Sequence, residues 1–99
     1  MDYVLTLYVA GQSRLSQDAI GRVETICEDH LCGKYQLEVV DVFEHPDMAE
    51  EDKILATPTL VRRLPPPLRR IVGSMSEEHK VLFGLDLVER ADPVREPEF

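Results

Sequence analysis

A chain of 99 residues suffices for one domain and buries roughly 60 to 65% of its unfolded surface without disulfide or metal staples. With 43% hydrophobic and 30% charged residues, the balance is globular and excludes a disordered chain. A net charge of −8 excludes general affinity for nucleic acid, which needs clustered cations, and no apolar run approaches the ~18 residues of a membrane span. The chain opens on Met1-Asp2-Tyr3 with no cationic leader, so a cytoplasmic location is expected.

Residues 3–9 are rich in β-branched and aromatic side chains with almost no polar face, which predicts a central strand covered on both sides. Gly11 breaks it, and Ser13 and Ser16 offer N-caps. Ala19, Ile20, Val23, Ile26, Cys27 and Leu31 then recur at helical spacing until Gly33 supplies a stop. Residues 35–42 begin as an alternating strand and end apolar, consistent with parallel pairing beside the first strand through a helical crossover.

Pro46 suits a first helical position, and Asp47, Glu50 and Glu51 favour the positive end of a short helix reaching Leu55. The adjacent carboxylates of Glu50, Glu51 and Asp52 point to different sides of that helix and read as solvating its N-terminal turns, not as an acid-base pair. A strand over 57–63, a proline turn over 64–67 and a strand over 68–72 form an antiparallel hairpin. Thr57-Pro58-Thr59 suggests a strand start that could open on a cis peptide bond.

Arg62, Arg63, Arg69 and Arg70 fall in a stretch without an acid, leaving seven basic against 19 acidic residues elsewhere. One basic edge on an acidic body reads either as a solvated hairpin protected against aggregation or as a docking edge for an acidic protein. Ser74 and Glu77 form a capping-box pattern ahead of a helical face of Val81, Leu82, Leu85 and Val88. Gly84 costs about 1 kcal/mol against Ala inside a helix. Residues 81–85 would also serve as a buried strand, so two packings differing by a few kcal/mol are an alternative to a plain helix. The coarse order is βαβαββα over residues 1–90, and 91–99 reads as a frayed tail.

That order, with Thr-Pro ahead of the third strand, is the α/β thioredoxin-like arrangement, in which the proline faces a Cys-x-x-Cys placed after the first strand. Here Gly11-Gln12-Ser13-Arg14 stands in that place and holds no sulfur. Cys27 and Cys32 lie five apart, about 140° around a helix, and read as reduced thiols, not a redox motif. His30, His45 and His79 have no partner at metal-ligand spacing, and there is no phosphate loop or nucleophile elbow. No catalytic residue, metal or cofactor is expected.

The runs Leu7-Tyr8-Val9-Ala10-Gly11, 50–60, Leu64-Pro65-Pro66-Pro67, Arg69-Arg70-Ile71 and Gly84-Leu85-Asp86-Leu87 resemble the KaiB family of circadian clock proteins, in register over about residues 3–90. The resemblance implies a metamorphic protein that interchanges between a ground-state fold of order βαββααβ, a homotetramer or dimer, and a monomeric thioredoxin-like form that binds the N-terminal ATPase ring of KaiC. It further implies that Lys53 and Arg62 face KaiC, and that Tyr3, Gly84 and Asp86 tune the balance between folds. Pro58, Pro65, Pro66 and Pro67 would couple interconversion to slow proline exchange. Family members offer their second strand to KaiA and to the pseudo-receiver of the clock histidine kinase CikA. Asp18 in the first helix and Gln36 and Glu38 in the second strand depart from the arginine, small residue and lysine of the cyanobacterial protein, leaving a timer of KaiB and KaiC alone as the alternative. A thioredoxin-like redox or chaperone protein without Cys-x-x-Cys is the rival function.

Overall fold

The computed structural model describes residues 3–85. Along them run β1 (Tyr3–Val9), α1 (Arg14–Leu31), β2 (Tyr35–Asp41), α2 (Pro46–Glu51), β3 (Thr59–Leu64), β4 (Arg69–Val72) and α3 (Glu78–Leu85). This is the expected βαβαββα order. The sheet runs β2-β1-β3-β4, with β1 and β2 parallel across the α1 crossover and the other two pairings antiparallel.

Period-two alternation divides the sheet into two unlike faces. Leu5, Leu7 and Val9 of β1 and Leu60 of β3 point to one side, where Ala19, Val23, Ile26, Cys27 and Leu31 of α1 and Val81 and Leu85 of α3 close over them. Tyr8, Val40 and Val61 point to the other side and meet Met48 of α2 with Val42 and Ile54. The central strand is therefore covered on both sides, as its composition predicts.

The ends of α1 follow from local chemistry. Ser13 Oγ accepts from the Ser16 amide at 3.2 Å, and Ser16 Oγ donates to the Ala10 carbonyl at 3.2 Å, which ties the cap to the β1 exit. At the other end Cys32 already takes the left-handed conformation, one residue before Gly33.

Three expectations need correction. Helix α2 ends at Glu51 instead of reaching Leu55, because Asp52 is drawn to the sheet and Lys53 turns left-handed at φ 54. Glu50 and Glu51 therefore lie at its C-terminal end, not its N-terminal turns. The Ser74 capping box does not form: α3 begins at Glu78, Ser74 Oγ donates to Ser76 Oγ at 3.0 Å, and the intervening Met75 has φ 62. Glu77 instead pairs with Lys80 at 3.0 Å. The expected continuation of α3 to Val88, the fold-tuning Asp86 and the tail at 91–99 lie outside the described residues.

Candidate partner surface

On the α2 side of the sheet, β1 contributes two polar side chains, Thr6 and Tyr8, between its apolar ones. Opposite them β3 carries an irregularity: Leu5 pairs with Arg62 and Val4 with Leu64, so Arg63 is the residue left over. A bulge re-aims a side chain, and Arg63 turns onto Thr6, Tyr8 and Asp52. Its Nε donates to Thr6 Oγ1 at 2.9 Å and its Nη2 to the Tyr8 hydroxyl at 3.1 Å, while Nη2 and Nη1 fork onto the two carboxylate oxygens of Asp52. The Tyr8 hydroxyl donates to the same carboxylate. Arg70 of β4 adds two donations to backbone, to the Asp52 carbonyl at 2.8 Å and the Lys53 carbonyl at 3.4 Å.

The electrostatics match this wiring. The Arg63 hydrogen bond outweighs burial and holds the Asp52 carboxyl below the usual carboxylate range, while burial and the Asp52 hydrogen bond push the Tyr8 phenol up.

Beyond this knot the surface turns apolar. Leu55 is 96% exposed and Phe43, at the β2 exit, 74% exposed. Phe43 is held by its amide, which donates to Asp41 Oδ1 at 2.9 Å; the Gly11 amide donates to the same oxygen at 3.0 Å. Gly11 has φ 71 and an added Cβ would meet the Phe43 ring at 3.4 Å, so a side chain there would both strain the turn and crowd the ring. A groove of about 550 Å³ runs beside α2, lined by Val42, Pro46, Ala49, Ile54 and Leu55 with Glu50 and Lys53 at its rim. Burying a large apolar side chain is worth roughly 1.5–3 kcal/mol, which covering Leu55 or Phe43 would each release.

The place where thioredoxins keep their thiols is different. Pro58 is buried and its bond to Thr57 is cis, but Gly11 to Arg14 opposite supply no sulfur. Cys27 is buried in the core, and burial, with Glu28 and Glu24 nearby, pushes its thiol up to about 12; Cys32 is exposed at the far end of α1. Among the described residues no cluster of His, Cys, Asp or Glu could hold a metal ion, and no helix is long and apolar enough to cross a membrane.

The KaiB domain family matches residues 6–87. The chain belongs to the KaiB family. It is 52% identical over 95 residues to circadian clock protein KaiB3 of Synechocystis sp., covering 96% of this chain and 93% of that one. Circadian clock oscillator protein KaiB of Rippkaea orientalis is also 52% identical, over 97% of this chain and 92% of its own. Among solved structures, the N-terminal domain of Synechococcus elongatus SasA superposes with a TM-score of 0.69 at 24% identity, covering 82% of this chain and 76% of that domain. Mitochondrial thioredoxin 3 of Saccharomyces cerevisiae gives 0.69 at 20% identity over 86% and 77%. The fold is thioredoxin-like.

The residues singled out by resemblance to KaiB proteins scatter over this fold. Lys53 is exposed on the α2 side. Arg62 is not beside it: alternation puts Arg62 with Leu5 and Leu60 on the α1 and α3 side, 3% exposed, its Nη2 donating to the Pro67 carbonyl at 2.9 Å. The expectation of a solvent-facing Arg62 is thereby corrected, and so is that of four solvated arginines, since Arg63 is bound to Asp52 and only Arg69 and Arg70 are exposed. Tyr3 starts β1 and packs against the main core. The Leu64-Pro65 and Pro66-Pro67 bonds of the turn are cis, and Gly84 lies within α3 against Ile71. The polar knot of Thr6, Tyr8, Asp52, Arg63 and Arg70 escaped sequence reading; the one available signal was a pair of hydroxyl-bearing residues, Thr6 and Tyr8, two apart and so on one face of an apolar central strand.

Proposed function

We propose that this chain is a non-enzymatic clock or timer regulator that docks its α2 side on the N-terminal ATPase ring of KaiC and so alters the phosphorylation and ATPase cycle of that partner. It docks as a cytoplasmic thioredoxin-like monomer, drawn from an equilibrium with a ground-state oligomer of order βαββααβ. The observation that carries this reading is an exposed cation beside an apolar anchor, Lys53 and Leu55 lining one groove along α2, on a member of a clock family. Against the redox rival stand the thiol-free turn over 11–14 and a Cys27 thiol pushed up to about 12.

The test is size-exclusion chromatography and titration with KaiC and ATP. The wild-type chain co-elutes with the ring, and Lys53→Glu weakens the complex about tenfold, chiefly through slower association, since rim charges steer encounter. Its circular dichroism stays unchanged. Failure of the wild-type chain to bind, or insulin reduction at thioredoxin-like rates, would overturn the proposal. Arg62→Glu is the wrong probe: it would place a carboxylate in a buried site and unfold the domain before reporting on docking.

A further inference from the structure

The first half of the loop joining α2 to β3 has one apolar tie to the sheet, the half-buried Ile54 against Tyr8, Val40 and Val61. Leu55 points to solvent, no residue of α2 is buried, and Lys53 sits in a left-handed conformation that lysine seldom adopts. Such a conformation persists where its surroundings over-determine it. The surroundings here are side chains from three strands. Tyr8 of β1 and Arg63 of β3 grip the Asp52 carboxylate, and Arg70 of β4 grips the carbonyls of Asp52 and Lys53.

Arg63 has every guanidinium nitrogen engaged inside the molecule, with Nε on Thr6, Nη1 on Asp52 and Nη2 shared between Asp52 and Tyr8. Four of its five N–H groups are thereby spent within the molecule, so its main effect is on what it holds. The forked pairing also fixes direction as well as distance, which a lysine in its place would not.

We propose that Asp52 and Arg63 are positioning residues, a latch that pins the α2 to β3 loop to the sheet and thereby sets how Lys53 and Leu55 are presented to the partner. This rests on the docking surface of the proposed function, whereas the latch itself is a property of the free protein, so the two can fail separately. On this reading the latch acts through Lys53 and Leu55, whose placement it sets, and its loss moves both. Charge removal at either end should therefore loosen the loop without loosening the core.

Two readouts test this on the full chain, with Asp52→Asn, Arg63→Met and the double variant. The first is amide hydrogen exchange of the free protein. The Lys53 amide donates to the Glu50 carbonyl at 3.1 Å and the Ile54 amide to the Ala49 carbonyl at 2.9 Å, so both report on the loop. Both should exchange about tenfold or more faster in each single variant, while β1 and β3 amides stay protected. The second is affinity for the KaiC ring, expected to fall at least fivefold in each single variant and no further in the double, the signature of one shared interaction. Unchanged exchange at residues 53 and 54 overturns the latch, and so does faster exchange with wild-type affinity. If the wild-type chain does not bind the ring at all, the docking reading has failed and the exchange rates alone decide whether the latch exists.

Discussion

The two faces of the sheet are held by different physics. On the α1 and α3 side a dozen buried residues, Leu5, Leu7, Val23 and Leu60 among them, form one apolar cluster. On the α2 side the buried apolar cluster among the described residues is Tyr8, Val40 and Val61, with Val42, Met48 and Ile54 half-buried against it, and a polar knot around Asp52 adds to that smaller core. Apolar burial is non-directional and scales with area. A forked ion pair is directional and can be undone by one proton or one substitution. The fold is thus anchored by apolar burial on one side, while directional polar contacts hold the exposed loop on the other.

The sharpest way to break that contrast is to remove carbon from the first face. Leu7 is fully buried in the centre of β1, and Leu7→Ala should cost about 2–5 kcal/mol, a large share of the stability of a domain this size. Urea unfolding followed by circular dichroism measures it. A loss below about 1 kcal/mol would mean that the α1 and α3 face does not carry the fold.

Acid should act on the second face only. The Asp52 carboxyl is held below its ordinary value by Arg63, so its contribution to stability is complete above the unfolded value of about 4 and disappears as the pH falls through the depressed folded value. Wild type should therefore exceed Asp52→Asn in stability at neutral pH, and the gap should close on acidification below about pH 4. A gap that stays constant from pH 7 to pH 2.5 would show that the carboxylate's charge contributes nothing.

What the sequence reveals divides along the same line. Helix α1 is legible because Ala19, Val23, Ile26, Cys27 and Leu31 repeat every three or four residues, and periodicity reports which side of an element is buried. The Asp52 knot is not legible, since its members come from β1, β3, β4 and the loop after α2, and nothing local in Glu50-Glu51-Asp52 says that only the third carboxylate meets an arginine. Arg62 and Arg63 show the same limit. Adjacent and identical in type, they point to opposite faces, and which of them is buried depends on a register slip between β1 and β3 that no single-strand pattern encodes.

The smallest expected effect falls where the faces' elements meet at α3. Gly84 lies inside the helix at an exposed position, so an alanine there should gain about 1 kcal/mol of helix propensity. The new Cβ, however, would sit 3.0 Å from Ile71 Cδ1 of β4, which must move for the gain to be realised. That atom is the free end of a half-exposed side chain on an edge strand, so the contact yields and the sign stays favourable. Gly84→Ala alone should stabilise the thioredoxin-like form by less than ~1 kcal/mol. In an Ile71→Val background, which deletes the obstructing methyl, the same substitution should recover nearly all of it. If the chain interchanges with an oligomeric ground state, the double variant should also show more monomer on size exclusion and faster capture by KaiC. Equal effects of Gly84→Ala in both backgrounds would show that Ile71 does not limit the substitution, and a net loss in the valine background would show that the glycine is needed in α3 for a reason other than that contact.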